Sequence, residues 1–440
     1  MIKPAPPKPD KWKRLLSILL FCIGSTLLPL NALPSPLLDT AEIMLQNSRD
    51  LQLVRTDLEL ARVAEKKLRA RYLPRLSARA EAGINNETDQ DVSDDYSDVT
   101  LGLNLSQDLL NMPYIYEIKA ASWRTMAADA RYKEVEQKLL HQFLLAWAAY
   151  WKALRQIEAG VENREILNRY RENARFRYDA GSLTITDVRL AETRYQEALS
   201  QTSRFLRDKV RTRETLKTII LSSVPRTVVL FGDGMGIDHL PEADAALNAH
   251  PKLAPLKAEA MVYKLRIKQH RSGHLPALKL VSSLDYQLEG QLASSYYPYT
   301  EARVGILLDI PLYSGGEISR ETETARLQKS SLEVKIRQAR EILLSDMETD
   351  RFNLTQSREE IAIARRQLVY AEQTLEGMND EYEMGTRSST DVFDVQADMI
   401  RAKLSLVEAK EQHARFLANY LLSLGVLDVS MLKHLSGDEP

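Results

Sequence analysis

Hydrophobic residues recur along this chain with two periods, and the changes of period divide it into elements. Leu76, Ala78, Ala80, Ala82 and Ile84 alternate with Ser77, Arg79, Glu81 and Gly83, and Val99, Leu101, Leu103 and Leu105 alternate with Thr100, Gly102, Asn104 and Ser106. These runs predict strands over 76–85 and 97–107. Further on, Leu278, Leu280, Leu284, Tyr286 and Leu288 alternate with Lys279, Ser283, Asp285 and Gln287. Ala302, Val304, Ile306, Leu308 and Ile310 likewise alternate with Glu301, Arg303, Gly305 and Asp309, predicting strands over 278–289 and 299–310. A period of two over about ten residues, with charges on the minor face, marks membrane β-barrel strands that line water. A half-buried soluble sheet is the other arrangement that gives this pattern. Tyr96, Tyr286, Tyr296, Tyr297 and Tyr299 cluster near the strand ends, where an aromatic girdle sits.

Between and after the strand pairs the period becomes helical. Leu139, Leu140, Phe143, Leu144, Trp147, Tyr150, Trp151 and Leu154 recur at three- and four-residue steps among Arg, Glu and Lys, the pattern of a helix–helix core. From Tyr114 to Tyr178 there is no proline and only one glycine, Gly160. At about 1.5 Å per residue such a helix spans on the order of 95 Å. Of the 17 prolines, none lies between Pro113 and Pro225 or between Pro311 and Pro440. Uninterrupted helix requires this, because proline removes a donor and clashes with the preceding turn.

The chain is a tandem duplication. Tyr178-Asp179-Ala180-Gly181-Ser182-Leu183-Thr184-Ile185-Thr186-Asp187-Val188 aligns with Tyr382-Glu383-Met384-Gly385-Thr386-Arg387-Ser388-Ser389-Thr390-Asp391-Val392, and Leu73-Pro74 aligns with Leu275-Pro276. Each half reads helix, strand, loop, strand, very long helix, glycine turn, helix. The predicted organisation is a first repeat over 33–220, a connector over 221–240, a second repeat over 241–428 and a C-terminal tail over 429–440. A period this long implies duplication of a whole supersecondary block rather than a solenoid. Four strands cannot close a barrel, and open edges are not tolerated in lipid. Single-chain barrels of this type start at about eight strands, so closure must come from other copies, and three copies supply twelve.

Composition adds an address. Five bases against Asp10 alone in the first fourteen residues precede an apolar run from Leu15 to Leu30. That is a signal-peptide pattern, predicted over residues 1–32, with a retained membrane anchor as the alternative. The sole cysteine, Cys22, lies inside it, so the mature chain is expected to be cysteine-free. A formal net charge of −2 argues against nucleic acid as a partner.

Chemistry-bearing motifs are few. No phosphate-cradling loop of the Gly-x-x-x-x-Gly-Lys-Ser/Thr type occurs, nor His-Glu-x-x-His or Gly-x-Ser-x-Gly. Gly232-Asp233-Gly234-Met235-Gly236 sits in the connector without a strand-to-helix setting. His270 and His274 fall at a helix end beside Gly273 and Pro276, a poor metal site. No enzyme activity, cofactor or metal is expected. Asn85 to Tyr96, rich in acids, reads as an exposed outer loop. At the glycine turns, Gly181 and Gly385 supply the left-handed residue a helix reversal needs. Thr186-Asp187 and Thr390-Asp391 then have side chains suited to a helix start. Asp391 and Asp394 are three apart and share a helical face. Three copies around an axis would gather six carboxylates, a ring that selects cations and in which crowding raises some pKa values.

With these residues on view, the chain resembles the TolC family of outer-membrane efflux proteins from about Asp39 to Leu427. The resemblance is carried by the two Tyr-x-x-Gly…Thr-Asp-Val turns, by Leu-Pro before each strand pair, and by Ile310-Pro311-Leu312-Tyr313-Ser314-Gly315-Gly316 after the last strand. The first half departs at Ser106 to Asn111, which lacks the glycine pair. The resemblance implies a mainly α fold with a small β part. It also implies a homotrimer whose twelve-stranded outer-membrane barrel, four strands per chain, continues into a periplasmic α-helical coiled-coil tunnel. It implies a passive duct for efflux or type I secretion, recruited by a periplasmic adaptor and an inner-membrane pump. By position it implies a periplasmic gate of Thr186, Asp187, Tyr382 and Arg387 and a cation-selective entrance ring of Asp391 and Asp394. Gly181 and Gly385 would mark the helix tips where the adaptor docks. The alternative from another class is a periplasmic coiled-coil adaptor or structural rod, in which the four alternating strands would have no lipid to face.

Overall fold

A computed structural model of the chain describes residues 36–89, 92–232, 241–291 and 299–436. The expected signal peptide with Cys22, Tyr296 and Tyr297 of the girdle, and Asp233 to Gly236 lie outside these residues. The elements run α1 (Pro36–Asn47), α2 (Arg49–Arg71), β1 (Arg75–Asp89), β2 (Val92–Leu110), α3 (Met112–Asp179), α4 (Ile185–Ile220), α5 (Ala243–Ala249), α6 (Ala254–Arg271), β3 (Ala277–Gln291), β4 (Tyr299–Asp309), α7 (Glu317–Glu383), α8 (Ser389–Ser423) and α9 (Val429–Ser436).

The strands form one antiparallel sheet in the order β1-β2-β3-β4. Its register puts every alternating apolar set on the same side. Leu76 faces Leu105, Ala78 faces Leu103 and Ala80 faces Leu101. Leu101 then faces Tyr286, Leu103 faces Leu284 and Val99 faces Leu288, and Leu280 faces Ile306 and Leu278 faces Leu308. Among the described residues nothing covers that face; Leu76 is 71% and Val304 76% exposed. The opposite face carries Ser77 across from Asn104, Glu81 across from Thr100 and Asp285 across from Glu301.

The acidic stretch expected as an outer loop is instead largely strand. β1 and β2 stay paired from Arg75–Ser106 out to Asp89–Val92. The ladder thus runs past the residues where alternation stops, because backbone pairing needs no apolar side chain.

Of the two long helices, α3 starts at a side-chain cap and α7 at Gly316 without one, and both are stopped by glycine. At α3 the Asn111 side chain accepts from the Tyr114 N–H at 3.2 Å, with Pro113 in the first turn. α3 has 68 residues and α7 has 67, each about 100 Å of helix. On the sheet side of the molecule the helices lie side by side as α2–α3–α6–α7; on the far side the order is α4–α3–α8–α7. Gly160 of α3 lets α4 come close: a Cβ there would sit 2.8 Å from Phe205, and the Thr202 hydroxyl donates to the Gly160 carbonyl at 3.0 Å.

The main core is a belt around the middle of α3. Phe143, Leu144 and Trp147 are fully buried there against Leu216 and Ile220 of α4, Leu421 of α8 and Met44 of α1. The connector joins this belt through Val228 and Phe231, and the Trp147 indole N–H donates to the Val229 carbonyl at 2.8 Å. The segment expected as a C-terminal tail instead forms α9, which buries Leu432 and Leu435 in the belt; the Leu435 carbonyl accepts from the Gly232 N–H at 3.3 Å. Among the described residues no helix is long and apolar enough to cross a membrane.

Candidate functional site

The end of the molecule away from the sheet is built from two matching turns. α3 closes with Gly181 at φ 76°, where the Ser182 N–H reaches the Arg177 carbonyl and the Gly181 N–H that of Tyr178, both at 2.8 Å. α7 closes likewise with Gly385 at φ 78°, the Thr386 N–H on Glu381 and the Gly385 N–H on Tyr382, both at 3.0 Å. These six-to-one and five-to-two bonds satisfy carbonyls that a helix end leaves open.

Each next helix begins with a reciprocal capping box. The Asp187 carboxylate accepts from the Thr184 N–H at 3.1 Å and hydroxyl at 2.7 Å, and the Asp187 N–H donates back to that hydroxyl at 3.3 Å. Asp391 and Ser388 repeat this at 3.1, 2.8 and 3.3 Å. The caps are therefore Thr184 and Ser388, not Thr186 and Thr390, which lie inside the first turns. Thr186 is exposed and free of capping duty. The Thr-x-x-Asp and Ser-x-x-Asp spacing carried that signal.

Around the turns the two repeats meet. The Ser389 hydroxyl donates to the second Asp187 oxygen at 3.1 Å, linking α8 to α4. The Arg387 Nε donates to Glu381 at 2.8 Å, so within one chain Arg387 pairs with the end of its own α7 and not with Asp187. Tyr382 lies beneath the Arg177 guanidinium, 5.2 Å from ring centre to carbon. Asp394 is bound by Arg194 of α4 at 3.1 Å. Deeper in, the Tyr170 hydroxyl donates to Asn379 at 2.5 Å and the Gln396 amide donates to Asn163 at 3.1 Å. Glu381, Ser389 and Arg194 escape sequence reasoning, since their partners lie on other helices or beyond a turn.

The charges are set by these bonds. The Thr184 hydroxyl, helped by the Thr184 N–H and by Ser389, holds Asp187 below the usual carboxylate range against some burial. The Ser388 hydroxyl and N–H do the same for Asp391. Within the chain Asp391 is thus pulled in the direction opposite to the rise expected from a crowded ring. Glu381 holds Arg387 more firmly protonated than a free guanidinium. Among the described residues no group of three or more His, Cys, Asp or Glu side chains could hold a metal ion. His270 instead pairs through Nδ1 with Glu321 at 2.7 Å.

A sheet with one largely apolar, uncovered face, continued by helices of about 100 Å that reverse at capped glycine turns, defines a barrel-and-tunnel channel subunit. The chain matches the family described as outer membrane efflux protein over residues 41–220 and 243–425, and it belongs to that family. It is 27% identical over 337 residues to the outer membrane efflux protein BepC of Brucella suis biovar 1 (strain 1330), covering 73% of this chain and 71% of that one. It is 25% identical over 429 residues to the alkaline protease secretion protein AprF of Pseudomonas aeruginosa, covering 92% and 88%. The fold is also that of the Campylobacter jejuni CmeC outer membrane channel, with a TM-score of 0.76 at 16% identity over 91% of this chain and 89% of that chain. The family is one of outer-membrane efflux channels, and this chain is one of them.

Proposed function

We propose that three copies of this chain close a twelve-stranded barrel in outer-membrane lipid and a helical tunnel beneath it. A periplasmic adaptor and an inner-membrane pump open the far end. The observation that carries this reading is that every exposed edge of the layer has a matching one. The sheet leaves β1 and β4 as open edges, an arrangement lipid does not permit. Beneath them α2 exposes Leu53, Leu60 and Val63, and α7 exposes Leu327, Val334 and Ile342. Farther down, α4 exposes Leu206 and Val210 while α7 exposes Phe352 and Tyr370. The β1, α2 and α4 edge of one copy therefore suits the β4 and α7 edge of the next, in one sense along the whole length. Head-to-tail contacts of this kind close rings.

The capped turns form the gate. Arg387, held by Glu381 within the chain, exchanges it for Asp187 and Thr186 of the neighbouring copy when the end closes, with Tyr382 supporting. Charge-assisted bonds of this sort hold a coil shut and release when an adaptor competes for the tips at Gly181 and Gly385. Asp391 and Asp394 ring the opening and favour cations.

Outer-membrane fractionation followed by mass measurement in detergent tests the assembly; a monomer in the periplasmic fraction refutes it. Single-channel recording tests the gate. Arg387→Ser combined with Tyr382→Phe raises conductance, and an unchanged value removes the gate assignment.

A further inference from the structure

Arg194 stands where the sequence gives no warning of it. It belongs to α4 in the first repeat, yet its guanidinium spans Asp394 of α8 at 3.1 Å and Glu197, one turn on in α4, also at 3.1 Å. Its Nε is buried with no hydrogen-bond partner, and the side chain, about two-thirds covered, is held at both terminal nitrogens. An arginine held in this way keeps its charge between the two repeats.

One stripe of α8 reads Asp391, Asp394, Asp398, Arg401 at helical spacing. Asp398 is paired with Arg401 at 2.7 Å and Asp394 with Arg194. Asp391 alone has no ion pair among the described residues. Its oxygens accept from the Ser388 hydroxyl and N–H, neutral donors that favour the ionised form, while the nearby Arg387, itself paired with Glu381, adds only a smaller pull. The carboxylates of the stripe are thus unequal.

We propose that Arg194 is a specificity-determining residue of the entrance, a fixed counter-charge that limits the cation preference of the aspartate ring and leaves Asp391 as its dominant acid. This rests on the entrance-ring reading given above. Removing the guanidinium leaves Asp394 and Glu197 uncompensated in every copy, which deepens the negative potential at the narrowest point.

The test is the reversal potential of the reconstituted full-length channel in planar bilayers under a potassium chloride gradient. Arg194→Gln raises the potassium-to-chloride permeability ratio by roughly two- to five-fold, the size expected of a unit charge acting across a partly solvated opening. The gain shrinks from about 0.1 M to 1 M salt as the Debye length falls from ~10 Å to ~3 Å. Arg194→Lys keeps the charge and the native ratio, which a role confined to packing would not predict. Asp391→Asn lowers the ratio in the same assay. If Asp391→Asn lowers it and Arg194→Gln leaves it unchanged, Arg194 has no such role and the ring stands. If Asp391→Asn changes nothing, the ring reading fails and takes the proposal with it.

Discussion

Replacing glycine by alanine should have opposite effects at two positions of the same helical segment. Gly385 terminates α7 at φ 78°, and a Cβ placed there meets nothing within 4 Å. The cost of Gly385→Ala is therefore purely that of holding an L-residue in the left-handed region, roughly 1–2 kcal/mol. Gly377 lies within α7, carries no positive φ, and also has open space where a Cβ would go. Gly377→Ala removes only the backbone freedom of glycine in a helix and should gain up to ~1 kcal/mol. One chemical change thus carries two signs, set by a single dihedral. Native-state hydrogen exchange of the full-length protein, read on a peptide containing the Thr386 amide that donates to Glu381, reports local opening of the turn. Gly385→Ala should speed that exchange about 5- to 30-fold, by the rule that 1.4 kcal/mol is tenfold, whereas Gly377→Ala should slow or preserve it. Gly181→Ala, at φ 76° with equally open surroundings, should match Gly385→Ala at its own turn. If Gly385→Ala and Gly377→Ala shift exchange in the same direction, the strain argument for the turns is wrong.

Other consequences can be checked by simpler means. Trp147→Phe removes the indole donor to the Val229 carbonyl and should cost about 0.5–1.5 kcal/mol; Trp147→Ala should cost about 3–5 kcal/mol. Denaturant unfolding of the solubilised protein decides, and a Trp147→Phe variant as stable as the native protein would contradict the hydrogen bond. Asp187 and Asp391 both have depressed folded pKa values, so their capping stabilises the turns above the ordinary carboxylate pKa of about 3.9 and is lost as pH falls through the lower folded values. Pepsin nicking at the turns should therefore rise only at pH below about 3.9, and onset one or two units higher would overturn the assignment. Leu103→Lys on the apolar sheet face should cost ~2–4 kcal/mol and reduce assembled channel in the outer membrane, while Asn104→Lys on the polar face should be tolerated. Equal yields would mean that the two faces had been assigned wrongly.

The strands were legible because a sheet with an apolar and a polar side must alternate, and the alternation survives in most ladder pairs from Leu76–Leu105 to Leu278–Leu308, with Ser282 as an exception. The long helices were legible from what they exclude, proline above all. Four features were not. The ladder beyond residue 85 is held by backbone bonds between polar residues, so no side-chain period marks it. Helix α9 is short, and Leu432 and Leu435 acquire meaning only against the belt they enter. At the turns, aligning the two repeats drew attention to the shared Thr-Asp pair, although the capping residue stands two positions earlier and is threonine in one repeat and serine in the other. Partners such as Arg194 and Glu381 depend on the rotational phase of neighbouring helices, which a sequence periodicity does not fix across a gap between helices.

The same alignment explains why the entrance chemistry is one-sided. Position for position, Leu183 of the first repeat corresponds to Arg387 of the second, and Leu190 corresponds to Asp394. Leu183 and Leu190 pack against the small cluster of Leu167, Ala174, Ala191, Ala198 and Phe393 that fastens the turns together. Their counterparts are exposed charges. A duplicated hairpin with leucines at both places would have had apolar contacts in both halves and no polar bonds to trade; one with charges at both would have lost the cluster that orders the tips. Dividing the two duties lets the first repeat supply a packed, apolar footing. The second repeat can then be held by bonds between charged groups, which water and a competing partner can replace at modest cost. Arg194 carries this division one step further, because it is the first repeat's own charge reaching across to temper the second's. If the proposed ring forms, this asymmetry, more than the number of acids, sets how strongly it discriminates among ions.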